Sequence, residues 1–255
     1  MSWVHPCTEE DVKPILDQLR EHYDLGTPLK WEHGNYIMPD NDDPKFGEES
    51  YTKGNVACAT LVREGGMPWK EIPRLFNFSG TIYHSKHYIN REGYQVDNID
   101  ELIHHGHLIA YEFADENHIK KINFFKFSDG ELTNFVPEVA FCNYPKEKSI
   151  VMYGQQYYEN SIKRLLDPKS AKDKSVKFDS IHYEVAPLYL NGVPSKDYLP
   201  IMISLKAKMI TDDKNAAFPD IDGQSFSVLI PNMQRDVPPI KYDNGERLNW
   251  GQCEC

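Results

Sequence analysis

The sequence lacks the cysteine patterns that mark metal-binding and disulfide-stapled domains. It has five cysteines, an odd number, and no two of them form a C-x-x-C pair. This argues against a zinc knuckle and against a secreted disulfide framework. The two closest cysteines end the chain, where they either cross-link molecules outside a reducing cytosol or lie in a frayed tail. The five are Cys7, Cys58, Cys142, Cys253 and Cys255.

Targeting segments and common catalytic motifs are missing as well. Residues 1–30 have neither the basic start nor the apolar stretch of a signal peptide, and no apolar run reaches membrane-spanning length. We therefore expect a soluble protein in a cytosol-like compartment. Neither G-x-x-x-x-G-K-[ST] nor G-x-G-x-x-G occurs, and there is no G-x-S-x-G elbow. The sequence thus nominates no reaction.

Basic residues are fewer than acidic ones. The chain has 39 acidic and 28 basic residues, which gives a formal charge of −11, and the acidic residues are spread along the chain. Such a surface repels polyanions. We therefore expect neither direct nucleic-acid binding nor a membrane partner.

What the sequence does contain favours β-strands, because Tyr, Phe, Val and Ile together outnumber Leu and Ala together. The clearest strand is 201–210, where apolar and polar residues alternate, and 224–230 is expected to pair with it. Runs at 56–62 and 108–113 are further strand candidates, and Asp129-Gly130 predicts a hairpin turn. With a short helix predicted at 157–166, the pattern indicates a mainly β fold, a jelly-roll-like antiparallel β-sandwich with helical additions.

An amphipathic helix is predicted over residues 8–23, capped by Thr8 or Asp11, and Pro14 favours the later cap. Its apolar stripe either packs on its own domain or docks as an assembly arm on another subunit. Because the following segment is polar and rich in turns, we divide the chain into an arm (1–25), a β body (26–230) and a Pro-rich tail (231–255). The stripe consists of Val12, Ile15, Leu16, Leu19 and Tyr23.

Histidines cluster in the first half of the chain and suggest one enzymatic alternative. On a strand, His105 and His107 would point to the same side, as two metal ligands should. A jelly-roll metal-dependent enzyme is therefore the second hypothesis, built on His84, His87, His105 and His107. Surface or interface histidines, His104 among them, are the competing interpretation, and on that interpretation the chain has no metal site.

Tyrosines supply a third hypothesis. Fifteen are spread along the chain, many beside histidine. Tyrosine is enriched where proteins contact proteins, although ordinary β-core packing explains about half of such residues. A monomeric module that binds a small ligand through tyrosines is therefore also open.

Three stretches resemble the polyhedrins of cypoviruses. In the first, the strand at 202–210 is followed by A-F-P-D-I-D-G at 217–223 and S-F-S-V at 225–228, similar to the family's closing hairpin. The second runs from F-D-S-I at 178–181 to L-N-G-V-P-S at 190–195. The third covers 108–137 and ends in V-P-E. Residues 26–107 show no such similarity.

The resemblance implies a non-enzymatic viral occlusion-body protein. Such a chain forms trimers, which pack into a crystal lattice through the projecting N-terminal helix and embed virus particles in the cytoplasm of the infected host cell. The crystals would dissolve at alkaline pH. No cofactor would be required, although nucleotides can be held in such a lattice, and the residues that would bind them stay unknown. This is the leading hypothesis from the sequence.

Overall fold

The structure is a computed structural model that describes thirteen segments of the chain. Within them, only the backbone is described at 88–89, 95–96, 103–105, 135, 137 and 139. The described residues are 7–28, 30–46, 56–63, 88–89, 95–96, 103–110, 113, 135–139, 142, 153–167, 175–190, 192 and 200–233.

Two helices and ten strands make up the described part of the fold. The helices are α1 (Glu9–Leu19) and α2 (Gln155–Leu166). The strands are β1 (Lys30–Glu32), β2 (Asn35–Ile37), β3 (Ala57–Leu61), β4 (Tyr88–Ile89), β5 (Gln95–Val96), β6 (Ile103–His107), β7 (Phe135–Val139), β8 (Ser180–Leu188), β9 (Met202–Ile210) and β10 (Ser225–Pro231).

Six strands form one antiparallel sheet in the order β1-β2-β10-β9-β8-β3. Strands β4 and β5 form a separate two-stranded ladder, and β6 and β7 form another. The chain is therefore mainly β, as the sequence predicted. The described residues do not confirm the finer prediction of a jelly-roll sandwich.

The central sheet buries both of its faces, because alternate residues of each strand point to opposite sides. The side that we call the α2 face carries Tyr183, Leu205 and Phe226 and packs against Tyr158 and Ile162 of α2. The opposite side, the α1 face, packs against the N-terminal helix. Its sheet residues include Tyr36, Ala186, Leu188, Met202 and Leu229.

Helix α1 begins after Thr8, whose backbone N–H donates to the Asp11 carboxylate at 2.7 Å and whose hydroxyl donates to the same oxygen at 2.9 Å. The earlier of the two predicted caps is therefore the one used. Pro14 lies inside the helix rather than in its first turn. Since proline has no N–H, the helix loses one backbone hydrogen bond there.

The apolar stripe of α1 packs against the sheet of its own chain. Val12, Ile15, Leu16 and Leu19 are buried in one cluster with the α1 face. Tyr23 is partly buried beside it, and its hydroxyl oxygen accepts a hydrogen bond from the Tyr189 N–H at 3.1 Å. The stripe thus needs no second subunit to leave water. A role as an assembly arm stays an untested prediction, as does the three-part division of the chain.

Other strand and helix predictions have mixed outcomes. Those at 201–210, 224–230 and 157–166 are confirmed to within two residues at each end. The strand expected at 108–113 is wrong, because the strand is Ile103–His107 and residues 108–109 form a bend. The hairpin turn at Asp129-Gly130 lies outside the described residues. In the described part of the chain, no helix is both long and apolar enough to cross a membrane.

Candidate functional site

A buried carboxylate lies between the α2 face and the β6–β7 ladder. Glu138, on β7, is 0% exposed, and within the described residues neither of its carboxylate oxygens has a hydrogen-bond partner. An unpaired carboxylate in the protein interior costs free energy, and such groups are rare. Glu138 is therefore the residue from which we build the candidate site.

Gly106 on β6 gives this carboxylate its space. A Cβ atom built on Gly106 would collide with the carboxyl group of Glu138, and its distance to Glu138 Cγ would be only 2.5 Å. Glycine is required wherever another group approaches the backbone this closely. The side chain of Glu138 thus lies against the β6 backbone at Gly106.

Helix α2 supplies the other side of the cluster. Gln155 Nε2 donates to the backbone carbonyl of His107, to that of Leu108 at 3.2 Å, and to Glu159 Oε1 at 2.9 Å. Gln155 and Glu159 are one helical turn apart, so both side chains lie on the same side of the helix. The amide of Gln155 therefore joins the start of α2 to the end of β6.

Glu159 is also held from the sheet. The hydroxyl of Tyr183, on β8, donates to Glu159 Oε1 at 3.2 Å. This places a second carboxylate, 8% exposed, at the edge of the cluster. The cluster thus receives side chains from β7, α2 and β8, which are far apart in sequence.

Burial shifts the pKa values of three groups in and around the cluster. It raises the pKa of Glu138 well above the ordinary range, and the nearby charge of Glu159 raises it further. Burial also raises the pKa of Tyr183 and of the Cys142 thiol, with Glu159 and Glu138 respectively adding to the effect. These groups therefore resist gaining negative charge unless a cation or a proton compensates it.

The donor atoms are of the type that a hard cation prefers. In the part of the chain that the structure describes, the two oxygens of Glu138 and Gln155 Oε1 are buried without a hydrogen-bond partner. Carboxylate and amide oxygens are ligands that Mg²⁺ and Ca²⁺ prefer. Within the described residues, no group of three or more His, Cys, Asp or Glu side chains could hold a metal. Any cation here would rest on the carboxylate–amide set.

The histidines of the metal hypothesis are only partly placed. His107 ends β6 with a half-buried side chain, and its carbonyl accepts from Gln155. His105 is also on β6, opposite Pro137, and His104 is opposite Glu138, with only their backbones described. His84 and His87 lie outside the described ranges. The described hydrogen bonds thus bring the backbone carbonyl of His107 to the cluster, whereas its side chain points to the face of β6 opposite Gly106 and Glu138.

A second buried polar cluster lies on the α1 face. Lys206 is 0% exposed, and its Nζ is 3.6 Å from Glu184 Oε1 and 3.9 Å from Asp40 Oδ2. Cys58 Sγ lies 3.6 Å from Glu184 Oε2, in hydrogen-bond contact. Burial lowers the pKa of Lys206, and the two carboxylates partly offset that shift. The charge of Lys206 is paired with carboxylates, so we interpret this cluster as structural.

Comparison with known proteins identifies the fold. No family model matches the sequence, and no curated protein matches it either. The chain is similar to the crystal structure of NucA from Streptococcus agalactiae, solved with no metal bound. The TM-score is 0.50 at 20% identity, over 91% of this chain and 94% of that one. At this identity the likeness shows the fold alone.

This comparison corrects the leading hypothesis. NucA has a nuclease-like fold and is not a polyhedrin, so the assignment as a cypovirus occlusion-body protein is wrong. The expectation of a non-enzymatic chain is likewise contradicted, since the neighbour points to an enzyme. The jelly-roll metal enzyme built on four histidines gains no support, because the described residues contain no such metal cluster.

Proposed function

We propose that this chain is a nuclease-like enzyme that hydrolyses phosphodiester bonds where α2 meets the β6–β7 ladder. The observation that carries the proposal is the unpartnered buried carboxylate of Glu138 beside Gln155 and Glu159. A fold similar to that of NucA supports it. Groups with strongly shifted protonation cluster at functional sites.

Each residue of the cluster has a chemical role in this proposal. The backbone carbonyl of His107 accepts from Gln155 and fixes the position of that amide. Glu159, held by Gln155 and Tyr183, takes a proton from the attacking water as a general base, and the leaving oxygen takes a proton from solvent. Glu138 and Gln155 Oε1 would hold a divalent cation, which when bound neutralises charge on the phosphate oxygens.

The acidic surface is relevant to the substrate. A formal charge of −11 repels a polyanion, and the expectation that the chain does not bind nucleic acid directly has not been tested. We propose instead that binding depends on the divalent cation, because the cation reduces the repulsion between phosphate and carboxylate. The expectation that the protein requires no cofactor would then be wrong.

The test is a cleavage assay on single-stranded and double-stranded DNA and on RNA, with Mg²⁺, Mn²⁺ or EDTA. We expect cleavage that requires the cation. Glu138→Gln, which removes the proposed cation ligand, and Glu159→Gln, which removes the proposed base, should each lower the rate by about a hundredfold or more.

The matched controls are His22→Ala and Glu21→Gln, since both residues are exposed and follow α1. They should leave the rate unchanged, and circular dichroism should show that all four variants fold. If no nucleic acid is cleaved with any cation, or if the cluster variants cleave like the wild type, the proposed function is wrong.

A further inference from the structure

A cysteine lies at the edge of the buried ion cluster on the α1 face. Of the three cysteines that the structure describes, Cys7 and Cys142 are buried and Cys58 is half-buried. Cys58 lies on β3, directly opposite Glu184 on β8, and Glu184 is in turn opposite Lys206 on β9. Residues that are directly opposite on neighbouring strands share one face of the sheet. Cys58, Glu184 and Lys206 therefore form one row across three strands, which we call the thiol row.

The side chains of the thiol row contact one another through Glu184. The Cys58 thiol donates a hydrogen bond to Glu184 Oε2, with 3.6 Å between sulfur and oxygen. Lys206 Nζ lies 3.6 Å from the other carboxylate oxygen, Oε1. A nucleophile in hydrogen-bond contact with a base, which a third group holds in place, is the usual arrangement around an activated nucleophile. The row thus contains a nucleophile, a base and a cation, in that order.

A proton can move within the thiol row without changing its total charge. Burial lowers the pKa of Lys206, whereas the nearby carboxylates and an ionised Cys58 raise it. This attraction is mutual, so the ammonium group also stabilises negative charge on the sulfur. When the thiol proton passes to Glu184, an ion pair of ammonium and thiolate replaces one of ammonium and carboxylate. The cost of adding a new charge to the protein interior is thereby avoided.

Exposure to solvent differs along the row. Lys206 is 0% exposed and Glu184 is 1% exposed, whereas Cys58 is half-buried. A reagent that arrives from solvent therefore meets the sulfur first. A half-buried thiol admits a small electrophile more readily than a bulky one, and hydroperoxides are small electrophiles that oxidise accessible thiolates.

We propose that Cys58 is a site of oxidation by hydroperoxides, with Glu184 as the base and Lys206 as the group that stabilises the thiolate. The thiol proton passes to Glu184, and the sulfur attacks one oxygen of the peroxide. The O–O bond breaks, and the leaving oxygen takes the proton from Glu184 and departs as water or an alcohol. The sulfur is oxidised by two electrons to a sulfenic acid, which thiols can reduce again, and the peroxide is reduced. This site is independent of the proposed nuclease function.

The experiment measures how fast each cysteine is oxidised in the whole protein. Hydrogen peroxide is added with dimedone, which traps sulfenic acids, and mass spectrometry of peptides quantifies the product at each cysteine. The matched control is the double variant Cys58→Ser, Ala59→Cys, since Ala59 is half-buried on the same strand but lies opposite Tyr183. Cys58 should react about tenfold faster than the control thiol. Equal rates would overturn the proposal, because exposure alone would then explain the reaction.

The pH dependence of the rate tests the base and needs only the wild type. Below its ordinary pKa of about 8.5, an unassisted thiol reacts about tenfold faster for each pH unit, because the thiolate fraction rises. Cys58 should show a shallower rise, since proton transfer within the row does not depend on the pH of the solvent. A full tenfold rise per pH unit would show that Glu184 does not act as the base, and the proposal would be wrong.

The variant Glu184→Gln removes the base and keeps the shape of the side chain. When circular dichroism shows that this variant folds, oxidation at Cys58 should be about tenfold slower than in the wild type and should regain the steep pH dependence. An unchanged rate in the folded variant would contradict the proposal. If the variant does not fold, the pH dependence of the wild type decides the question.

Discussion

The two faces of the central sheet bury charge in different ways. On the α1 face, Lys206 lies between the carboxylates of Glu184 and Asp40, and its Nζ donates to the Lys45 carbonyl at 3.3 Å. On the α2 face, Glu138 is equally buried, but neither of its oxygens has a hydrogen-bond partner among the described residues. One face thus compensates its buried charge within the described chain, and the other does not.

This difference distinguishes a buried charge with a structural role from one with a functional role. Removing an ion from water costs several kcal/mol, which a well-placed partner largely offsets. A paired buried ion is therefore compatible with a purely structural role. An unpaired carboxylate lowers the stability of the fold, and its retention points to a ligand or a proton that completes the site.

The largest effect is expected where pairing is broken on the α1 face. Lys206→Met leaves Glu184 buried without its cation, so we expect a loss of about 3–5 kcal/mol in the free energy of unfolding. Urea denaturation measures it. The matched control is Lys208→Met, since Lys208 pairs with the exposed Asp43 and should cost at most about 1 kcal/mol. Equal losses in both variants would remove the distinction between buried and exposed pairs.

A somewhat smaller effect is expected from the helix on that face. Leu16 is 2% exposed in the core that α1 shares with the sheet, so Leu16→Ala should cost about 3 kcal/mol. Lys13→Ala, on the exposed side, is the control and should cost little. The loss should be the same at every protein concentration. A loss that grows on dilution would show that the stripe also packs against another copy.

The α2 face should respond to pH. The raised pKa of Glu138 means that the folded chain binds this proton more tightly than the unfolded chain does. Stability from this group is full below the unfolded pKa of about 4.3 and is lost as pH rises towards the folded value. Glu138→Gln removes the titratable group. In EDTA, the free energy of unfolding of the variant should therefore come to exceed that of the wild type by about 1–3 kcal/mol as pH rises.

Divalent cations provide a second test of the role of Glu138. Mg²⁺ or Mn²⁺ should stabilise the wild type against urea at neutral pH and leave Glu138→Gln unaffected, because the variant lacks the carboxylate ligand. Equal stabilisation of both proteins would place the cation elsewhere. A wild type whose stability is flat with pH would mean that Glu138 is compensated in some other way.

The smallest effect is expected at the start of α1. Asp11 accepts from both the N–H and the hydroxyl of Thr8, so Asp11→Ala should cost about 1 kcal/mol. Asp17→Ala, near the end of the same helix, removes a largely exposed pair with Arg20 and should cost less. Thermal denaturation of the two variants compares them directly. A larger loss at Asp17 would contradict the capping argument.

Local patterns in the sequence were enough to predict the longest elements. The alternation from Ile201 to Met209 predicted β9, and the apolar spacing from Val12 to Leu19 predicted α1. Helix α2 begins two residues earlier than expected, because its cap is Gly154 and no capping side chain marks the start. The β1–β2 hairpin was missed, since its turn is His33-Gly34 rather than the commoner Asn-Gly.

The candidate site could be predicted only in part. His107 was singled out as a metal ligand, whereas the structure shows its carbonyl held by Gln155. Glu138, Gln155 and Glu159 were not singled out, because Glu138 is distant from the other two in sequence and the three residues match no motif. Their proximity depends on β7 packing near α2 and the sheet. The spacing of apolar residues along the chain predicts individual strands and helices. It does not determine which strand packs against which helix.

The strand order has a consequence for how the chain folds. Strands β8, β9 and β10 pair in sequence order and form the middle of the sheet, whereas β2 and β3 join opposite sides of that block. Contacts between neighbours in sequence form faster than contacts that close long loops. Segments that leave the ribosome later would therefore assemble first, and β2 and β3, made earlier, must wait for them. Until then their apolar side chains are exposed, so this protein should depend on chaperones more while it is being synthesised than after it is complete.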